Sequence, residues 1–274
     1  ISRWQLTETF GEFTAYNASH TEGLETTGFF GAVFDGRYIY FSPQHDSVSR
    51  HGKVLRYDTH GNFHDPNSWQ AYDASHTDGL RCEGYYGAAF DGRYVVFPPR
   101  RDPEGFHSRA LRYDTHGDFH DPTSWSAYDI GVDNSSQSAA FDGRYLYFNP
   151  GQRAERREEG AVDDKSPRVT GMSANQVLVA SGNVIRYDTR SGFKAPESWT
   201  TFDVSTVLGP QARDFDGSCF DGRYIYLAPL AYAVAVRYDT RGEFQEAGSW
   251  QSYDCGARFG MKRNVGVIFD GKYV

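Results

Sequence analysis

The sequence predicts an all-β protein assembled from repeated four-stranded antiparallel units, and three recurring phrases predict it. The first is Phe-Asp-Gly-Arg-Tyr at 34–38, 90–94, 141–145 and 220–224, with Lys272 in place of Arg in a fifth copy at 269–273. The second is Arg-Tyr-Asp-Thr at 56–59, 112–115, 186–189 and 237–240. The third is a Ser-Trp pair followed by an aromatic residue and Asp, at 68–73, 124–129, 198–203 and 249–254.

Each phrase specifies an element. Asp-Gly between apolar runs is a hairpin signal, because a two-residue turn needs positive φ and Gly supplies it without strain. In the first unit this predicts strand one at 31–34 and strand two at 37–41. Lys53–Asp58 is the third strand and Trp69–Asp73 the fourth. Period two holds along them, with Tyr38 and Tyr40 on one face and Arg37, Ile39 and Phe41 on the other. Pro43, Pro99, Pro150 and Pro229 end the second strand, since proline cannot donate to a ladder. Gly61 and Gly117 allow a reversal before the fourth strand, and Asp65-Pro66 and Asp121-Pro122 begin a single helical turn. No longer helix is expected.

Four-stranded units at a spacing of about 50 residues are the signature of a β-propeller. The chain ends inside strand two of the fifth unit, while Ile1 to Trp4 aligns with Val54 to Tyr57 and Gly11 to Tyr16 leads into a fourth strand. The prediction is therefore one domain over 1–274, a five-bladed ring closed two-plus-two by N-terminal strands three and four with C-terminal strands one and two. The alternative is a piece of a longer propeller with open edges. The hairpin, the Tyr-Asp pair and the Trp before the last strand resemble kelch-like propellers, although Ser42-Pro43 and its equivalents stand where kelch repeats carry a double Gly. The resemblance implies architecture alone.

A net charge of −8 argues against a nucleic-acid partner, which needs a basic stripe. No apolar run approaches the roughly 18 residues of a membrane span. The sequence begins at Ile1 with no signal-peptide pattern, and the compartment stays open. Cys82, Cys219 and Cys255 occupy unlike positions in their units and have no metal-ligand spacing. A monomer is expected.

Repetition separates scaffold from site. Residues present in every unit serve turns and packing: Asp35 and its four equivalents as turn residues, Arg3, Arg56, Arg112, Arg186 and Arg237 as ties to repeated Asp residues, and Trp4, Trp69, Trp125, Trp199 and Trp250 as packing between blades. Antiparallel strands put the one-two and three-four turns at one end of each unit. The two-three and four-one loops lie at the other end and vary, so that face is the expected functional one. Counting back from each Phe-Asp-Gly gives Phe29-Phe30, Tyr85-Tyr86, Ser136-Gln137, Phe215-Asp216 and Asn264-Val265 near the axis. Glu25, Arg81, Glu83, Asp133, Asn134, Arg213, Asp214, Lys262 and Arg263 precede them.

The expected ligand site is Phe29, Phe30, Tyr85, Tyr86, Gln137, Asp216, Arg263 and Asn264, a mixed aromatic and polar funnel suited to a polar small molecule, glycan or peptide. The enzymatic alternative is a glycoside hydrolase with Glu83, Asp214 and Asp216 as candidate carboxylates, an analogy at the level of the fold. A protein-interaction scaffold is the third reading. No cofactor is expected. His20, His45 and His76 are candidate metal ligands from adjacent loops, near His51 and His107 in register. His60, His64, His116 and His120 are expected at the surface. The insertion at 151–181 lies on the variable face, its charged start expected to be mobile and the apolar stretch from Met172 to Val179 a candidate lid.

Overall fold

A computed structural model describes residues 2–4, 13–132, 135–156 and 176–274. The fold is all-β, with four antiparallel four-stranded sheets in sequence. The first contains Phe29–Phe34, Tyr38–Pro43, Lys53–Asp58 and Trp69–Asp73. The second contains Ala89–Phe90, Tyr94–Phe97, Arg109–Asp114 and Trp125–Asp129. The third is Ser136–Phe141, Tyr145–Pro150, Asn183–Asp188 and Trp199–Asp203. The fourth is Phe215–Phe220, Tyr224–Pro229, Val234–Asp239 and Trp250–Asp254. No helix among the described residues is long and apolar enough to cross a membrane.

The repeated phrases act as local chemistry dictates. Asp35 Oδ1 accepts the N–H groups of Arg37 and Tyr38 at 2.7 and 2.6 Å, and Gly36 takes φ +106°. Tyr40 donates its hydroxyl to the other Asp35 oxygen at 2.8 Å. Arg37 clasps Asp58 from across the sheet at 2.6 Å, and Arg93–Asp114, Arg144–Asp188 and Arg223–Asp239 repeat the pair. Asp65 caps the turn Pro66–Ser68 by accepting from Asn67 N, as expected.

The arginine of the second phrase departs from expectation. Arg56 bonds Gln70 at 2.9 Å and the hydroxyl of Tyr113 at 3.2 Å, and lies 4.2 Å over Tyr38 and 4.1 Å over Phe119. It joins one sheet to the next through aromatic faces and a phenol, because the expected Asp is already held by Arg37.

The core is a string of clusters between neighbouring sheets. Its repeated contact is an aromatic residue on the fourth strand stacked against the next unit's Trp. Tyr72 lies 4.8 Å from Trp125, Tyr128 5.8 Å from Trp199, and Phe202 5.8 Å from Trp250. Tyr16 lies 5.2 Å from Trp69 in the same way. Each indole N–H is spent on a carbonyl six residues earlier, as from Trp69 to Phe63 O at 3.0 Å. This sheet-upon-sheet packing is propeller-like.

At the N-terminus Ser2–Trp4 pairs with Phe13–Ala15, Trp4 opposite Phe13 as Tyr57 is opposite Trp69. Trp4 therefore holds the Tyr57 place, and Phe13 holds the place of the interblade Trp. At the C-terminus the fifth turn forms, with Asp270 Oδ1 accepting from Lys272 N and Tyr273 N. Among the described residues no ladder joins this turn to the N-terminal hairpin. The insertion begins and returns as the antiparallel pair Gln152–Arg156 and Gln176–Ala180. Within the expected mobile and lid segments, 157–175 lies outside the described residues.

Candidate functional site

Strand alternation sorts the paired residues ahead of each Phe-Asp-Gly. In the four described sheets the first of each pair turns into the sheet-to-sheet core. Tyr85 is 0% exposed and donates its hydroxyl to Arg109 O at 3.2 Å. Phe29 is half-buried against Phe41 and His51, and Ser136 and Phe215 are buried. Phe29 and Tyr85 are therefore packing residues, a correction to the expected ligand set. Phe30 is 55% exposed.

The inner strands approach one another closely. A Cβ on Gly31 would stand 2.7 Å from Tyr86 O, and one on Gly87 2.7 Å from Gln137 O. On Gly217 it would stand 2.7 Å from Gly266 Cα. Only glycine lets the backbone of one unit rest on that of the next here. This brings the second members of the pairs together. Phe30 stacks on Tyr86 with centroids 4.2 Å apart and planes at 25°. The Arg100 guanidinium lies 3.4 Å over the same Tyr86 ring. A ring offers two faces, so at these separations Tyr86 is sandwiched between Phe30 and Arg100.

Asp216 and Asp214 adjoin this stack. Burial pushes the Asp216 carboxyl above the usual carboxylate range, against the attraction of Arg100. Burial also raises Asp214, against a hydrogen bond from Gln152 Nε2 at 3.3 Å and the charge of Arg100, while Asp216 adds to the rise. Asp214 sits at φ +56°, and its backbone bonds Ser181 O and Leu230 N. Gln137 is buried beside Gly151. Gln152 thus ties the base of the insertion to the buried Asp214 carboxylate.

Glu83 lies in another cluster. Burial raises its carboxyl, opposed by Arg81 and reinforced by Asp102. Arg81 Nε is 3.8 Å from it. The structure therefore couples Asp214 with Asp216 and leaves Glu83 apart. Arg263 and Asn264 are exposed, and Asn264 contributes its backbone N–H to Pro229 O at 2.8 Å. Asp133 and Asn134 lie outside the described residues.

The histidines divide by burial. His20 and His76 are exposed on separate short hairpins, and His45 Nδ1 accepts from Ser47 N at 3.1 Å. Among the described residues no three His, Cys, Asp or Glu side chains are grouped to hold a metal ion. His51 and His107 are buried struts. Burial pushes His107 down to about 4, so it is neutral at pH 7; its Nε2–H donates to Glu83 O at 2.9 Å while Nδ1 accepts from Arg109 N. His60, His64, His116 and His120 are exposed, as expected.

Sequence reading missed the arginines of the two-three loops, Arg50, Arg100 and Arg101. A signal was present: Arg100-Arg101 follows Pro99 where the other units have Gln44, Gly151 and Leu230. Counting back from Phe-Asp-Gly reaches the four-one loops, whereas these arginines lie in the two-three loops. No protein-family model matches this chain, and a search of curated proteins finds no similar sequence.

Proposed function

We propose that the protein is a five-bladed propeller that binds a polar small molecule or glycan at the axial end of its variable-loop face. The observation that carries this reading is the exposed face of Phe30, backed by Tyr86 and Arg100 and adjoined by Asp216. Rigid aromatic surface beside a few polar groups is what recognises a ring bearing hydroxyls.

Two repeated features support the fifth blade. Tyr85 N and Ser136 N donate to Pro43 O and Pro99 O of the preceding unit, and Asn264 N makes the same bond to Pro229 O. Phe13 and Tyr253 are 65% and 52% exposed although their equivalents elsewhere form the buried interblade stack. Closing the ring would bring these two against each other.

The test of binding is a screen of soluble oligosaccharides against the protein and its Phe30→Ala variant. Because Phe30 is exposed, the variant should fold normally by circular dichroism. The expected loss in affinity is about tenfold or more, as for removal of one stacked ring. A ligand bound equally by Phe30→Ala would refute binding on the Phe30 face.

The hydrolase alternative draws on the coupling of Asp214 with Asp216. It predicts release of reducing sugar that Asp216→Asn abolishes, whereas binding without turnover favours the first reading.

A further inference from the structure

Three arginines converge on Tyr86 in a protein whose net charge is −8. Arg100 covers the ring at 3.4 Å. Arg50 and Arg101 come from adjacent units and meet at Gly84, where an added Cβ would stand 1.8 Å from Arg101 O and 3.0 Å from Arg50 Cδ. Gly84 also has φ +74°, so no other residue allows this approach without strain. A cavity of about 180 Å³ opens beside them, lined by His45, Ser49, Arg50, Arg101 and Asp102.

Among the described residues, Nη1 of Arg50 and Nη1 of Arg100 are buried without a hydrogen-bond partner, although Asp216 and Asp214 attract Arg100. Asp102 is engaged by Arg109 and by the N–H groups of Glu104 and Gly105. Asp46 accepts from Val48 N and Ser49 N and faces Lys53 at 3.7 Å. Burial, with the charges of Arg50 and Arg100, pushes Arg101 down to about 10. An unmet buried donor costs about 1–3 kcal/mol, more when charged, and proteins keep such groups where a ligand supplies the acceptor.

We propose that the axial mouth is an oxyanion site, in which the ligand presents a carboxylate, sulfate or phosphate group to Nη1 of Arg50 and Arg100. The proposal rests on the axial binding argued above and adds the chemical class of the ligand. Guanidinium forks match the geometry of these oxyanions, and a local positive field in an acidic protein steers such ligands toward the mouth.

The experiment is thermal-shift titration and calorimetry with sodium phosphate, sodium sulfate, D-glucuronate and D-glucose at matched chloride ionic strength. At least one of the anions should raise Tm and bind, with glucose inert. Phosphate or sulfate acting alone points to an ester-type anion, and glucuronate acting alone points to a sugar acid. Arg50→Gln and Arg100→Gln should each weaken binding about tenfold or more, the loss of one charge-assisted hydrogen bond. Arg50→Lys should fail to restore full affinity, which keeps the test decisive if Arg100→Gln does not fold. Arg241→Gln, at an exposed arginine of a three-four turn, should change nothing. Binding of glucose as tightly as glucuronate, or anion binding unaltered by both glutamine variants, would overturn the proposal. Anion binding lost in the arginine variants but kept in Phe30→Ala would uphold the oxyanion site and separate it from the Phe30 face.

Discussion

Tyr85 and Tyr86 are neighbours with opposite surroundings, one sealed in the core and one facing Arg100. The pair was legible in the sequence as two aromatics before an inner strand. Applying period two there would have separated the core member from the one on the opposite face. Asp214 shows what sequence could not reveal: a carboxyl raised by burial, with Oδ1 buried and unpartnered among the described residues, on a residue of positive φ. Asparagine tolerates that backbone and can still accept from Gln152. Asp214→Asn is therefore expected to stabilise the fold by on the order of 1 kcal/mol near neutral pH, a Tm rise of about 2–4 °C. Because the folded-state pKa is raised, the wild-type penalty is complete above it and is relieved as pH falls through it. The advantage of the variant should thus vanish below about pH 4. Thermal melts of both proteins across pH 3–8 check this; a variant less stable at pH 7 contradicts it.

The two Ser-His-Thr loops became elements that the spacing did not foretell. His20–Thr21 with Leu24–Glu25, and His76–Thr77 with Leu80–Arg81, are hairpins packed on the next unit's fourth strand. Their acidic tips, Glu22 and Asp78, take φ +51° and +53°. Glu22 accepts from Ala71 N at 2.8 Å and contacts His120 Nε2 at 2.8 Å. Asp78 accepts from Ala127 N at 2.8 Å and pairs with Lys194 at 2.7 Å. An outer strand exposes unpaired N–H groups, and these carboxylates satisfy one on each sheet while reaching the unit beyond. Asp78→Ala should cost about 1–2 kcal/mol in urea unfolding, and Asp78→Asn less because it keeps an acceptor. Hydrogen exchange at Ala127 N–H should accelerate in the alanine variant. Unchanged stability and exchange would mean that the clasp contributes nothing.

For the whole molecule, the repeat predicted the units, and the four described sheets follow it closely. Ring closure is the proposal that belongs to this scale. If Phe13 stacks on Tyr253, Phe13→Ala and Tyr253→Ala should couple by about 0.5–1.5 kcal/mol in a double-mutant cycle. Purely additive losses would leave the ring open. A closed chain of this length should also scatter with a radius of gyration of about 19 Å.

What the sequence determined by itself was local. Asp-Gly turns, alternating strands, the Asp-Pro capped turn and the aromatic stacking positions recur because each depends on residues close in sequence or one repeat away. Tertiary structure decided which of two adjacent side chains enters the core. It also bound Arg56 to Tyr113 instead of an aspartate and gathered Arg50, Arg100 and Arg101 from two loops around one tyrosine. These outcomes depend on how neighbouring sheets lean together, with Gly31 and Gly87 setting the approach, and on burial that changes the charge preference of Asp214 and Asp216. Both are properties of the packed sheets, and residue spacing alone does not carry them.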